Sequence, residues 1–215
     1  MRLAMHLEAI DEGMVDLSKK LVFTKKFSFY LSGGTGLALQ IGHRRSFDLD
    51  FFTMIEFIPD DLAAILTAHH LSIESKVIRP GTLYCILEGV KTSFIFYPEN
   101  LLFQLKPFNT IEIADWRDIV IEKVRTIADR GQKKDFYDFY FGIQRIGIKQ
   151  FAELVFRKFG NRVNYFHLLK GLTYFEDADR NPDPVLIGEV IPWKIVKDFF
   201  LSNIKDFENA FSNVC

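Results

Sequence analysis

The chain has 215 residues, 27 Lys and Arg against 28 Asp and Glu for a formal net charge of −1, and 48% hydrophobic residues. That length buries a sizeable core, as one large domain or a small domain with a helical lobe, and the near-zero charge excludes a global field that attracts nucleic acid, leaving any polyanion to a local basic patch. The 23 phenylalanines imply a filled interior rather than disorder.

Cys85 and Cys215 match no metal spacing and make a poor disulfide framework. The N-terminal stretch carries charges where a signal peptide needs an apolar core, and no apolar run approaches the length of a membrane span. A reducing cytoplasm, with no membrane attachment, is the expected setting.

In chain order, residues 4–22 carry an apolar stripe through Met5, Ala9, Ile10, Met14, Leu17 and Leu21, which predicts a helix ending in Lys19 and Lys20. Those two lysines, with Lys25 and Lys26, read as a solvated basic face. Phe27, Phe29 and Leu31 then alternate with Ser28, Tyr30 and Ser32, which predicts a strand with one buried face.

Gly33 and Gly34 end that strand. A diglycine permits positive φ and leaves bare N–H groups, so a phosphate can approach main chain that a Cβ would otherwise shield. Residues 35–41 form a short helix whose N-terminus points at the same spot, with Thr35 able to cap it. His43, Arg44 and Arg45 follow as basic candidates. A second strand then carries Asp48 and Asp50 on one face, with Phe47, Leu49 and Phe51 expected on the core face. Two carboxylates side by side repel unless a cation lies between them, and oxygen-only ligation completed by phosphate suits Mg²⁺. A diglycine alone is an ordinary turn, and an Asp-x-Asp alone is an ordinary solvated face. Together, within about twenty residues, the spacing of one βαβ-like unit, they set a phosphate cradle beside a metal site.

Pro59 and Asp60 open a helix running to about His70, where His69 and His70 point about 100° apart and read as helix-end residues rather than metal ligands. Strands are predicted over 71–78, 82–87 and 90–97, joined by tight turns into an antiparallel meander. The 90–97 stretch holds no acid, and Glu88 and Glu99 sit at turns. Residues 98–109 read as a connection, and from about 110 the pattern turns helical. A helix over 115–130 carries Lys123 between apolar neighbours, and Asp135 and Asp138 share a face of the next helix. Amphipathic helices over 150–175 and 186–212 complete the chain. Arg157, Lys158, Arg162 and Lys170 give this part positive charge, and Tyr165, Phe166, Tyr174 and Phe175 are expected to pack in its core.

The run GGTGLALQIGHRRSFDLDFF resembles the signature of the AbiEii/AbiGii toxin family within the polymerase-β-like nucleotidyltransferase superfamily. The match covers the diglycine, the hydroxyl of Thr35, the Gly-His-Arg run, Ser46 and the Asp48/Asp50 pair; Gly36 stands where alanine is expected. The resemblance implies an α+β fold: a nucleotidyltransferase-like mixed sheet flanked by helices over residues 1–110, then a helical C-terminal lobe over 111–215 completing the cleft. It implies catalytic roles for Asp48, Asp50, Lys123, Asp135 and Asp138, with Mg²⁺ on Asp48 and Asp50. It also implies nucleotide binding at Gly33, Gly34, Thr35, Arg45 and Lys134, the NTP being the substrate. Superfamily members usually carry a third carboxylate on the meander, which this chain lacks, so the base is expected from Asp135 or Asp138; an internal salt bridge between Lys123 and one of these aspartates is the structural alternative, compatible with either role. The implied activity is transfer of NMP to an acceptor hydroxyl, with the tRNA acceptor end as target and a cognate antitoxin as partner. Two other readings stand beside it: a non-catalytic nucleotide-binding interaction module, and a nucleotidyltransferase that modifies a partner protein.

Overall fold

The structure, a computed structural model, describes residues 5–214. These divide into two compact units that meet in sequence between Asp115 and Trp116. The expected boundary near 110 lies five residues earlier, because the sheet of the first unit takes in one short strand from the stretch read as a connection and another from the start of the stretch read as helical.

The first unit is built on a seven-stranded mixed sheet in the order β3-β4-β5-β2-β1-β7-β6. Its strands are β1 (Tyr30–Leu31), β2 (Asp48–Thr53), β3 (Ile73–Arg79), β4 (Thr82–Leu87), β5 (Val90–Phe96), β6 (Lys106–Phe108) and β7 (Ile111–Ile113). β3, β4 and β5 form the expected meander, and β5 then lies parallel to β2. β1 pairs antiparallel to β2 and parallel to β7, and Ala114 N–H donates to the Leu31 carbonyl at 2.9 Å. Helices α1 (Glu12–Lys20), α2 (Gly33–Ile41) and α3 (Pro59–Ala68) complete the unit.

Local chemistry explains where these elements start and stop. Asp11 caps α1 by accepting from Met14 N–H at 2.9 Å, while Ile10 is extended, so the helix expected from residue 4 is confined to Glu12–Lys20 behind a short 3-10 turn at Leu7–Ala9. Residue 4 lies outside the described residues. The strand expected over 27–32 shrinks to Tyr30–Leu31 because residues Val22–Phe27 coil into a 3-10 helix that ends on Ser28 at φ 53°. Tyr30 is buried as well as Leu31, stacking on Phe52. The core on one face of the sheet joins Leu31, Leu49, Phe51, Leu83 and Phe94, with the Phe51 and Phe94 rings stacked 5.3 Å apart. Phe47 breaks the expected pattern: it precedes β2 and is 55% exposed, under the Arg45 guanidinium. Cys85 is buried, which pushes its thiol pKa up to about 11, and Cys215 lies outside the described residues. His69 ends α3 and stacks on Phe23 with ring centroids 4.3 Å apart, as suits a helix-end residue.

The second unit is helical: α4 (Trp116–Arg130), α5 (Lys133–Ile146), α6 (Ile148–Phe159), α7 (Tyr165–Thr173), the short α8 (Glu176–Asp179) and α9 (Trp193–Ser212). Its core is phenylalanine-rich, with Phe139 packed between Phe151, Phe200 and Phe207. Tyr165 and Phe175 join this packing, whereas Phe166 at 76% and Tyr174 at 48% exposure do not. Lys158 is not part of a surface charge either. It is buried on Asp118 and Glu122 of α4, at 3.0 and 3.2 Å. No helix among the described residues is long and apolar enough to cross a membrane.

Gly171 lets α7 approach α4. A Cβ there would sit 2.6 Å from the Cα of Ala128, a backbone atom that cannot swing aside. Alanine is the better helix former by about 1 kcal/mol, yet overpacking of this kind costs about 1–3 kcal/mol. Gly171→Ala is therefore expected to lower the thermal midpoint, and a rise would show that the two helices part freely.

Candidate functional site

The diglycine turn and the carboxylate pair meet at the centre of the first unit's sheet. Gly33 begins α2 at φ +62°, and a Cβ on it would lie 2.9 Å from Asp50 Oδ2. Glycine is thus required twice here, for the left-handed backbone and for the space beside the carboxylate. The first intrahelical bond of α2 runs from Gly36 N–H to the Ser32 carbonyl at 3.0 Å, so the N–H groups of Gly33, Gly34 and Thr35 have no partner within the helix. Ser32 N–H donates to the Asp50 carbonyl at 2.9 Å, which pins this helix end to β2.

Thr35 has a different local role from the one its sequence position suggests. Ser32 occupies the N-cap, with no side-chain cap bond, and Thr35 is fully buried. Its hydroxyl donates to the Asp48 carbonyl and lies 2.7 Å from Ser46 Oγ, which is itself 3.4 Å from Asp48 Oδ1. The threonine and serine of the motif therefore fasten α2 to β2 and orient Asp48. Arg45 is exposed beside Phe47, and Arg44 is buried, donating from Nη1 to the Arg45 carbonyl at 2.9 Å.

Asp48 and Asp50 occupy one face of β2 while Leu49 and Phe51, both fully buried, occupy the other. On the neighbouring strand the register sets Lys91 beside Asp48 and Ser93 beside Asp50. Ser93 Oγ donates to Asp50 Oδ1. These are residues that pattern reading passed over, because the parallel pairing of β5 with β2 has no local signal. The two carboxylates open on a pocket of about 340 Å³ whose lining includes Tyr84, Lys91 and Ser93. Among the described residues no group of three His, Cys, Asp or Glu is gathered for a metal ion. The donor set here, two carboxylates with serine hydroxyls around them, fits Mg²⁺, which binds through one or two carboxylates and completes its shell with water and phosphate.

In the second unit, Lys123 Nζ lies 2.8 Å from Asp135 Oδ1 and 2.5 Å from Asp138 Oδ2, with both aspartates at 0% exposure. Arg130 Nε adds a contact to Asp135 Oδ2 at 3.3 Å. Burial works to raise the Asp135 pKa, but the Lys123 ammonium and then Arg130 outweigh it and hold the carboxyl below its ordinary value. Lys134 is half-buried, while its neighbour Lys133 is taken up by Asp183 at 2.9 Å and by the Trp193 ring.

Two outcomes follow. Gly33→Ala is expected to cost about 1–2 kcal/mol from the left-handed backbone alone and to displace Asp50, measured as a lower urea midpoint. Lys123→Ala strands two buried carboxylates and is expected to destabilise by about 3–5 kcal/mol in urea unfolding at pH 7. Because the folded pKa of Asp135 is depressed, that contribution is full above the unfolded carboxylate value of about 3.9. The gap between wild type and variant should therefore narrow as pH falls through the folded value. A gap that widens in acid would contradict the pairing.

Similarity to known proteins agrees with this geometry at the level of fold. No family model matches the chain. It is 36% identical over 185 residues to the uncharacterized protein aq_aa25 of Aquifex aeolicus (strain VF5), covering 83% of this chain and 87% of that protein. Among solved structures it is similar to JHP933 from Helicobacter pylori, with a TM-score of 0.55 at 14% identity over 94% of this chain and 91% of that one. It is also similar to a candidate nucleotidyltransferase from H. pylori, with a TM-score of 0.50 at 12% identity over 95% of each chain. The chain belongs to the family of the Aquifex aeolicus protein aq_aa25, and its mixed sheet with flanking helices is a nucleotidyltransferase-like fold.

Proposed function

We propose that the protein is an Mg²⁺-dependent nucleotidyltransferase of toxin type that transfers NMP from an NTP to an acceptor hydroxyl. The observation that carries this reading is the seat of Asp50, whose carboxylate lies against Gly33 at the open N-terminus of α2 and beside Asp48 on the same strand face. The N–H groups of Gly33, Gly34 and Thr35 would bind the triphosphate at a helix end that favours anions, and Arg45 would neutralise it from the surface. Asp48 and Asp50 would hold Mg²⁺, which when bound offsets phosphate charge and acidifies a coordinated hydroxyl. The acceptor oxygen then bonds to the α-phosphorus, the bond from that phosphorus to the bridging oxygen breaks, and pyrophosphate leaves with its electron pair. The hydroxyl proton passes to solvent water. By resemblance to the AbiEii/AbiGii family, the acceptor would be a tRNA acceptor end and a cognate antitoxin would restrain the activity.

Lys123, Asp135 and Asp138 enter this proposal with a choice of roles. The resemblance implies phosphate binding by the lysine, with Lys134 beside it, and a base among the aspartates. Their complete burial in a shared ion cluster favours an anchor that holds α4 to α5.

Incubation with each labelled NTP, Mg²⁺ and total tRNA or cell extract tests the reading. Asp48→Asn and Asp50→Asn are expected to abolish labelling with little change in thermal midpoint, since both side chains are partly exposed. Wild-type transfer by either variant would sink the mechanism. A second reading, a non-catalytic nucleotide-binding module, is favoured by Ser93 facing Asp50 on a β5 that carries no acid. NTP binding by calorimetry with no labelled product in any pool would support it. Label on a protein, and no growth arrest on expression, would instead support modification of a partner protein.

A further inference from the structure

The sheet face that carries Asp48 and Asp50 continues past them in ordered rows. Across the strands, Asp50 of β2 is in register with Ser93 of β5, then Tyr84 of β4 and Val77 of β3. The next row runs Asp48, Lys91, Ile86, Ser75, and Arg79 stands one step along β3 from Val77 on the same face. This face is open: Tyr84 is 43% and Val77 56% exposed, and Lys91 and Arg79 are exposed as well. Beneath it, Leu83, Leu87 and Phe94 are fully buried in the core, so the face is a rigid floor.

Geometry assigns this side of the carboxylates a task. The α2 N-terminus, with its free N–H donors, flanks Asp50 from the β1 side of the sheet. In nucleotidyl transfer the attacking and leaving oxygens lie roughly in line across the phosphorus. If pyrophosphate departs toward α2, the acceptor hydroxyl must arrive from the opposite flank, which is the face of β5, β4 and β3. That face offers an exposed aromatic ring two strands from Asp50, a reach of about 10 Å at ordinary strand spacing, with a cation in the row on either side.

We propose that the β3-β4-β5 face is the acceptor subsite, and that it takes the unpaired end of a single-stranded nucleic acid, with a base stacked on Tyr84 and backbone phosphates on Lys91 and Arg79. This rests on the nucleotidyl-transfer reading of Asp48 and Asp50. An aromatic on an open sheet face between cations is the arrangement that binds unstacked bases with little demand on sequence.

The test is fluorescence anisotropy of a short unstructured labelled oligoribonucleotide with the full chain, beside calorimetric titration of NTP with Mg²⁺. Tyr84→Ala is expected to weaken oligonucleotide binding by about 5- to 100-fold, with Tyr84→Phe close to wild type because the π-face remains. Lys91→Ala and Arg79→Ala are each expected to reduce the slope of log K against log salt by about 0.7. Thermal midpoints identify any variant that fails to fold, and should Tyr84→Ala be one, wild-type salt slopes in both folded Lys91→Ala and folded Arg79→Ala overturn the proposal.

Undiminished oligonucleotide binding by folded Tyr84→Ala overturns the proposal, as does a wild type that binds no oligonucleotide. A parallel loss of NTP affinity also overturns it, by giving the face to the nucleotide. Label transferred to a protein as efficiently by Tyr84→Ala as by wild type overturns it in favour of a protein acceptor. Tyr84-dependent oligonucleotide binding in a protein that transfers no label upholds the subsite and overturns the transfer reading, so the two failures are distinguishable.

Discussion

The candidate site of the first unit depends on how the carboxylate of Asp50 is held from two sides. Ser93 Oγ donates to one oxygen, and Gly33 leaves the other the space a Cβ would fill. The serine bond ties β2 to β5, and Ser32 N–H on the Asp50 carbonyl ties it to the β1–α2 turn on the other flank. An acid held this way is in a defined orientation before any ligand arrives, so little ordering remains to be done on binding. Asp48 is steadied by the same logic through Thr35 and Ser46. The motif residues thus divide into main-chain donors, which have no partner within α2, and hydroxyls, which serve the strand.

The position of β2 in the sheet gives the site its two flanks. With β1 on one side and β5 on the other, the helix N-terminus and the open meander face approach the acids from opposite directions. The transfer reaction proposed above needs two substrates to meet at one point from two sides. A mixed sheet supplies that when the crossover strand sits in the middle, because the hairpin strands beyond it extend the floor without closing over it.

The second unit is organised by buried charge as much as by phenylalanine. Lys123 with Asp135 and Asp138 joins α4 to α5, and Lys158 with Asp118 and Glu122 joins α6 to α4. Such clusters add little net stability compared with apolar packing of the same volume. They penalise any helix arrangement that would separate the partners, so they select one packing over its near alternatives.

The amino-acid pattern alone determined the strand, diglycine, helix and carboxylate strand of residues 30–53, the three-stranded meander, and most helices of the second unit. These features are local: backbone freedom at Gly33, the two-residue period that puts Asp48 and Asp50 on one face, and the turn at Gly81 all act over a few residues. The short strands β6 and β7 have no legible pattern because three residues carry no period, and β7 joins the sheet through β1, about eighty residues away in sequence, with β6 paired to β7 alone. Tertiary structure alone decided that Ser93 faces Asp50, that Thr35 serves Asp48, that Lys158 lies inside, and that Phe47 and Phe166 lie outside. The physical reason is that backbone hydrogen bonds between distant strands carry no residue identity, and burial is settled by the surfaces that end up in contact.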